Sequence, residues 1–482
     1  MAAKTLGGVI ARLVALLLMV LALGACAVNP VTGRTELMLV SEAQEIELGR
    51  EAAPSMKWSF DGEYRDPELE AYLDAIVKTL WANSERPQLP LDFYVQNTSV
   101  PNAFALPGHL AITRGLLAEL ENEAQFVAIM GHETGHVMAR HTAQRLSQAT
   151  LMQLGLAAGG AALGGSGGDL FTQAGGIGGS LVLLKFGRDQ ELQADSLGVR
   201  YMAELGYDPY EALRAHERLQ AAVEGYMRRT GTERKDSVLG ALLSTHPREE
   251  VRLEEIRAMI NTLPPYTLEG DGEHREIFLR MTKRLREINK NYFPYDRARK
   301  LYGDDKLAEA ERALQEAIAG NPEQAPFYNL YGLIRLKEER YAEAARQFDM
   351  ALSYDPGFQP AIFGSGAASY LRGDYRRALG DFEDSLRLYP GHLGSKLGAG
   401  ASNFQLQRYG EAIPYLRDVA AAAPGHPEVH GMLGVCYEAV GDIRSAYNEY
   451  AAQVKVAPDN DFGRHAQQRL LVIAPILELP AR

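Results

Sequence analysis

The chain has 482 residues, of which 46% are hydrophobic and 23% are charged, and its formal net charge at pH 7 is -12. This length exceeds one ordinary hydrophobic core, so we expect two or three globular domains. The acidic balance and the absence of a basic cluster argue against nucleic acid as a partner.

Residues 1–25 have the pattern of a secretory leader, with a short basic start followed by an apolar run that is short for a membrane span. The small residues before Cys26 resemble a bacterial lipobox, which implies that Cys26 is lipidated and becomes the mature N-terminus. The alternative is a plain signal peptide that is cleaved near Ala25. By analogy with such lipoproteins, Ala27 predicts a periplasmic protein that is anchored to the outer membrane.

Two helices and two strands are predicted next. One helix runs from Ser41 to about Ala52, and a second follows Asp66-Pro67. The segments Leu91–Val100 and Phe104–Thr113 have the composition of strands in a small sheet.

An edge strand beside a catalytic metal can pair with the backbone of an extended substrate. We therefore predict that residues 102–113 bind substrate, and the alternative is an ordinary hairpin around Pro107-Gly108. The individual candidates are Asn102, Ala103, Phe104 and Ala105.

The sequence His-Glu-Thr-Gly-His at residues 132–136 is an HExxH pattern. Two histidines four residues apart share one helix face, so His132 and His136 can bind one metal ion. Glu133 lies beside them, where a carboxylate can take a proton from a water molecule. The pattern predicts a zinc hydrolase.

The surrounding helix is predicted from about Glu121 to Gln148. An ordinary helix with two surface histidines is the alternative, but apolar residues cover much of its circumference, which is typical of a buried helix. The following segment, Leu151–Leu184, is rich in glycine, and we predict a mobile apolar flap there.

A third zinc ligand is offered by a second predicted helix, from about Arg188 to Leu205. Glu191 and Asp195 are four residues apart and share a face of this helix. One carboxylate can bind the metal while the other accepts the free ring N–H of a ligand histidine. In isolation, the same spacing would be typical of a solvated helix face.

Together, these motifs resemble the gluzincin zinc metallopeptidases of the HtpX and BepA type, over residues 27–260. The resemblance also includes Asn-Ala-Phe-Ala-Leu-Pro-Gly at 102–108 and Ser-Thr-His-Pro at 244–247. It implies one Zn²⁺ per chain, Glu133 as general base and Asp195 as support for a ligand. The zinc ligands that it implies are His132, His136 and Glu191.

Two further residues are candidates for stabilising the oxyanion. Arg252 is the better one, since it is always charged and donates two parallel hydrogen bonds. His246 could take this role, or it could occupy the fourth zinc position and block water. We predict that His141, five residues past His136, is a packed or capping histidine away from the metal.

Five prolines recur every 34 residues, and glycine, alanine and large apolar positions recur in the same register. They are Pro322, Pro356, Pro390, Pro424 and Pro458. This period resembles tetratricopeptide repeats, which stack as helix pairs into α-solenoids that bind peptide or protein. We predict four full repeats after a degenerate first one.

The predicted segments are a leader at 1–25, a zinc metallopeptidase domain at 26–260, a linker and connecting helix at 261–287, repeats at 288–457, and a capping helix and tail at 458–482. The predicted fold class is mainly α within α+β: a gluzincin-like domain with a small β-sheet, followed by an α-solenoid.

The combination of these two modules resembles BepA-type family members, which implies quality control of outer-membrane protein assembly. The predicted function is a lipid-anchored periplasmic zinc endopeptidase that hydrolyses unfolded or misassembled envelope proteins. The repeats would bring it to a protein partner such as the outer-membrane assembly machinery. The alternative is an assembly chaperone or scaffold whose metal site is latent or structural.

Overall fold

The computed structural model describes residues 26–160, 186–231 and 250–477. The described residues form two compact units, with the boundary between Lys290 and Asn291. Each unit has its own hydrophobic clusters.

The first unit is mostly helical with two small sheets. Its elements in chain order are β1 (Cys26–Val28), β2 (Thr35–Leu37), α1 (Glu42–Ser59), α2 (Pro67–Ala82), β3 (Asp92–Gln96), β4 (Ala103–Leu106), β5 (His109–Thr113), α3 (Arg114–Leu117), α4 (Glu123–Met138), α5 (His141–Gly160), α6 (Arg188–Glu204), α7 (Glu211–Thr230), α8 (Glu250–Asn261), α9 (Arg275–Met281) and α10 (Lys283–Asn291).

The larger sheet has the strand order β3-β5-β4, so β4 lies at an edge. β3 runs parallel to β5, and β4 runs antiparallel to it. The turn between β4 and β5 needs the left-handed φ of +85° that Gly108 adopts. β3 is shorter than the predicted strand Leu91–Val100. After Gln96 the backbone forms hydrogen bonds outside the sheet, since Asn97 N donates to Gly62 O.

Helix α4 is the centre of the first unit, since every residue from Glu123 to Met138 is buried. Asn122 caps its start by accepting a hydrogen bond from Gln125 N. The helix packs into a cluster that includes Leu73, Leu110 and Tyr201, from elements on several sides. A helix that is buried on all faces holds its side chains in fixed positions.

The predicted single helix from Glu121 to Gln148 is wrong, because the structure divides it into α4 and α5. Arg140 takes a left-handed φ of +57° between them, which no α-helix can contain. The side chain of Arg140 is buried and donates to Glu45 Oε2 at 2.8 Å and to Val40 O at 2.9 Å. This buried ion pair with α1 fixes the break.

Two other predicted boundaries differ in the same region. α1 continues past Ala52 to Ser59, although Pro54 removes one helical hydrogen bond, because Ser55 and Met56 are buried on its inner face. α5 continues to Gly160 through the start of the predicted flap, and the remainder of that flap lies outside the described residues. No described helix is long and apolar enough to span a bilayer.

Part of the predicted linker, Asn261–Gly272, is hydrogen-bonded to the first unit. Glu269 N donates to Gly206 O at 2.8 Å, and Gly272 O accepts from Asp208 N at 3.0 Å. Farther on, Phe278 of α9 is fully buried, with its ring 6.5 Å from that of Phe126 in α4. These contacts support the N-terminal half of α4.

In the described part of the second unit, five helix pairs precede one final helix. The elements are α11 (Phe293–Gly303), α12 (Leu307–Gly320), α13 (Ala325–Lys337), α14 (Tyr341–Tyr354), α15 (Gln359–Leu371), α16 (Tyr375–Leu388), α17 (Leu393–Gln405), α18 (Tyr409–Ala422), α19 (Val429–Ala439), α20 (Ile443–Val456) and α21 (Asp461–Ile476). The predicted fold class is confirmed.

The repeated glycines make room for large side chains. An added Cβ at Gly332 or at Gly364 would lie less than 3.0 Å from the ring of Phe348, which therefore fills the space between α13 and α15. Phe382 lies in the same way between Gly366 and Gly398. Each ring thus joins its own repeat to the next one.

Substitution at Gly364 tests this packing. In Gly364→Ala, the new methyl group would overlap the Phe348 ring, so the free energy of unfolding of the second unit should fall by about 1–3 kcal/mol. Gly380→Ala is the matched control, because an added Cβ in α16 meets no atom within 4 Å and should raise stability by about 0.5–1 kcal/mol. Urea unfolding of both variants measures the difference, and equal shifts would contradict the packing.

Candidate metal centre

Helices α4 and α6 contact each other through their backbones. An added Cβ at Gly131 would lie 3.1 Å from Gly198 Cα, and one at Gly135 would lie 3.0 Å from Ala194 Cα. On the other side of the contact, a Cβ at Gly198 would lie 3.0 Å from the backbone nitrogen of His132. Larger side chains at these positions would separate the helices.

This close approach brings together the three predicted ligands, His132, His136 and Glu191, all of them buried. The two Nε2 atoms of the histidines are 3.0 Å apart. Glu191 Oε2 is 3.6 Å from His132 Nε2, and Glu191 Oε1 is 3.6 Å from His136 Nε2.

The donor set fits a metal ion of the zinc type. Nitrogen and oxygen atoms bound tetrahedrally at 2.0–2.1 Å are about 3.3 Å from each other, close to the separations of these three groups. Asp195 Oδ1 is 2.8 Å from His132 Nδ1, and an ionised carboxylate can only accept a hydrogen bond there. The Nε2 lone pair of His132 then faces His136 Nε2 and a carboxylate, an arrangement that a cation stabilises.

The carboxyl group of Asp195 remains ionised. Burial alone raises its pKa, but hydrogen bonds from Arg252 and His132 outweigh this effect and hold the pKa well below the usual value. The carboxylate can therefore orient the His132 ring at any physiological pH.

Arg252 contacts two carboxylates of α6, those of Glu191 and Asp195. Its Nη1 is 2.6 Å from Glu191 Oε2, and its Nε and Nη2 donate to Asp195 at 2.5 and 2.7 Å. Burial lowers the pKa of Arg252, but Asp195, Glu191 and Glu133 raise it above its ordinary value. In this geometry Arg252 orients the carboxylates, and its role at the oxyanion stays a prediction.

Glu133 follows the ligand His132 in the sequence, and its side chain is buried, with 3% of its surface exposed. Its charge is among those that raise the pKa of Arg252, so the two groups lie within electrostatic range. A buried carboxylate beside metal ligands is the arrangement that proton transfer requires.

His141 lies closer to the metal ligands than its spacing predicted. Its Nδ1 is 2.8 Å from His136 Nδ1, because the break at Arg140 turns the start of α5 back towards α4. It is buried as predicted, and burial lowers its pKa to about 4, so the ring is neutral. Phe186 stacks on the face of the His136 ring, with ring centroids 4.0 Å apart.

Sequence reasoning missed His216. This residue of α7 has its Nε2 3.5 Å from Asp195 Oδ1, and its ring lies 6.3 Å from that of His132. No spacing pattern links it to the HExxH pattern, so the sequence carried no signal for this contact.

The predicted substrate segment, residues 102–113, forms the edge strand β4, the turn at Gly108 and the central strand β5, so only β4 offers an edge. Ala103 and Phe104 are buried, Ala105 is partly buried, and Asn102 precedes the strand. The buried amide nitrogen of Asn102 has no hydrogen-bond partner in the described part of the chain, so it is a free donor there.

For two predicted residues, the structure does not describe the side chain. His246 lies outside the described residues, as does the Ser-Thr-His-Pro segment that contains it. Cys26 begins β1, but the structure does not describe its side chain.

The residues that match known families fall into the two units, one family in each. Residues 67–260 match peptidase family M48, and residues 295–357, 370–427 and 403–470 match tetratricopeptide repeats. Among solved structures, YrrB, a tetratricopeptide-repeat protein, aligns with 40% of this chain and 98% of its own at 19% identity, with a TM-score of 0.34.

Three curated relatives are similar in sequence. The mitochondrial metalloendopeptidase OMA1 of Schizosaccharomyces pombe is 31% identical over 188 residues, which cover 38% of this chain and 51% of that protein. The beta-barrel assembly-enhancing protease of Yersinia pestis is 25% identical over 64% of this chain and 67% of its own. Its Escherichia coli counterpart is 24% identical over 62% and 65%. The chain thus spans about half to two thirds of these relatives.

The helix contact leads to a prediction for metal binding. In Gly198→Ala, the new methyl group would press on the backbone at His132 and move α6 away from α4, so affinity for a divalent metal should fall roughly tenfold or more. Competition with a fluorescent chelator measures this affinity.

Gly225→Ala in α7 is the matched control, because its Cβ would meet only the ends of flexible arginine side chains. It should bind metal as the unaltered chain does. Equal affinities in the two variants would show that the close contact does not position Glu191.

Proposed function

We propose that the chain is a zinc-dependent endopeptidase, because residues 67–260 match peptidase family M48 and later residues match tetratricopeptide repeats. The proposed substrates are unfolded or misassembled proteins of the bacterial outer membrane. The proposed location is the periplasm, with a lipid anchor on Cys26.

The observation that carries this proposal is the buried group of His132, His136 and Glu191 beside Glu133. One zinc ion per chain, held by the first three, would act as a Lewis acid and lower the pKa of a water molecule. Glu133 accepts the proton of that water and can return it to the leaving amine. Asp195 and Arg252 keep the ligands in position during this transfer.

An extended peptide is the substrate form that the site suits. β4 lies at the edge of its sheet, where a peptide backbone can add as a further strand. Only an unfolded segment can present a free backbone in this way. The names of the Yersinia pestis and Escherichia coli relatives support β-barrel proteins as substrates.

We assign the repeats the role of binding a protein partner. Stacked helix pairs form extended binding surfaces, and these repeats bear no catalytic motif of their own. A partner in the outer-membrane assembly machinery would fit the names of the two bacterial relatives.

Substitution of Glu133 separates catalysis from binding. Glu133→Gln should retain one zinc per chain but lose roughly 10²- to 10⁴-fold in cleavage rate, because only the proton acceptor is removed. Mass spectrometry of peptides released from unfolded outer-membrane proteins, with metal analysis of the same samples, measures both properties.

Two controls accompany this experiment. Glu217→Gln, on an exposed position of α7, should cleave at the unaltered rate, and His132→Ala with His136→Ala should lose the zinc. If Glu133→Gln and the unaltered chain release the same peptides, the proposed mechanism is wrong. If neither releases peptides, the chain acts as a binding protein or assembly chaperone.

The lipid anchor has its own test. A clickable fatty acid should label the chain in bacterial cells and should not label Cys26→Ser, which would also leave the membrane fraction. Cys436→Ser is the control and should still be labelled, because Cys436 is a buried thiol in the repeats. Equal labelling of Cys26→Ser would remove the anchor from the proposal.

A further inference from the structure

We propose that His141 and Gln193 are positioning residues that fix the tautomer and orientation of the metal ligand His136. This inference rests on the proposed metal site, but not on its catalytic activity. It assigns a partner to the second histidine of the HExxH pattern, as Asp195 is the partner of the first.

The rings of His136 and His141 are in hydrogen-bonding contact. His136 Nδ1 and His141 Nδ1 are 2.8 Å apart, which requires one nitrogen to donate and the other to accept. His136 Nε2 faces the other ligands, so it must carry a lone pair to bind a metal. The proton of His136 is then on Nδ1, which donates, and His141 Nδ1 accepts.

The other nitrogen of His141 contacts the side chain of Gln193. With Nδ1 accepting, neutral His141 carries its proton on Nε2, which lies 2.9 Å from the side-chain oxygen of Gln193. An amide oxygen accepts this hydrogen bond. The chain from His136 through His141 to Gln193 therefore has one consistent direction of donation.

The reverse direction is incompatible with metal binding. If the Gln193 amide nitrogen donated to His141 Nε2, then His141 Nδ1 would donate and His136 Nδ1 would accept. The remaining proton of a neutral His136 would then be on Nε2, where the metal must bind. For metal binding, Gln193 therefore has to present its amide oxygen to His141, and in that orientation it stabilises the required tautomers of both rings.

The fold holds His141 in place from three sides. The left-handed Arg140 sets the direction in which α5 begins, and its ion pair with Glu45 anchors it. Gln193 lies on α6 between Glu191 and Asp195, so the residues that complete the site and support both histidines share one helix. Phe186 stacks on His136 and lies near His141, with ring centroids 6.0 Å apart.

The experiment compares two substitutions of His141. His141→Leu removes the acceptor but keeps an apolar side chain of similar volume, so zinc affinity should fall roughly 10- to 100-fold. In His141→Asn the side-chain oxygen occupies the place of Nδ1, and affinity should remain within a few-fold of the unaltered chain. Competition with a chelator gives the affinities.

Two further readouts separate positioning from a purely structural role. The visible spectrum of the Co²⁺-loaded protein reports ligand geometry and should change in His141→Leu but not in His141→Asn. Thermal unfolding of the metal-free proteins should be similar for both. Equal loss of affinity in the two variants would mean that His141 only packs, and unchanged affinity in His141→Leu would overturn the proposal.

A second pair of variants covers the case in which His141→Leu does not fold. Gln193 is only partly buried, so its substitutions should fold normally. Gln193→Met removes the terminal acceptor and should weaken zinc binding several-fold, whereas Gln193→Glu retains an acceptor and should not. Equal affinities for this pair would overturn the role of Gln193. Because no readout is peptidase activity, failure of the proposed activity would leave the result interpretable.

Discussion

The backbone contact between α4 and α6 is the constraint on which the site depends. Gly131, Gly135 and Gly198 leave no space between the two helices, so the two histidines of α4 lie within 3.6 Å of the Glu191 carboxylate of α6. Helices that pack through ordinary side chains lie roughly 8–10 Å apart, and at a wider separation Glu191 would lie farther from the two histidines. Small residues therefore serve the chemistry here as well as the packing.

The contact also concentrates negative charge in the interior. Glu133, Glu191 and Asp195 are all nearly inaccessible to water, and an uncompensated buried carboxylate is strongly unfavourable. The Arg252 guanidinium contacts Glu191 and Asp195 and supplies one positive charge. A divalent cation at the histidines would supply the rest, so the charge balance of the core and the proposed catalytic metal are parts of one arrangement. Metal binding should contribute to the stability of this unit for the same reason.

Spacing in the sequence predicted the parts of the molecule that are regular or local. The four-residue intervals of His132 and His136, and of Glu191 and Asp195, follow from the helical period, and the repeats follow from a period of 34 residues. The break at Arg140 could not be predicted, because it depends on a buried partner, Glu45, that lies 95 residues away in sequence. The contact of His141 with His136 depends on that break, so it could not be predicted from the sequence either.

The turns of the repeats show a related limit. One residue between the helices of each pair takes a left-handed φ, and these positions also recur every 34 residues, at Asp305, Glu339, Gly373, Gln407 and Gly441. Glycine occupies only two of them, so a search for glycine at helix ends finds less than half of the series. Tertiary packing imposes this conformation on the other three residues.

The rings of Phe348 and Phe382, each held between two glycines, have a mechanical consequence for the solenoid. Bending at these joints would press a ring into a backbone on one side and open a void on the other, and both distortions are costly in a packed interior. The repeats should therefore resist bending at these joints and move little relative to one another. A partner would meet a surface that is already in its binding shape, and little conformational entropy would be lost when it docks.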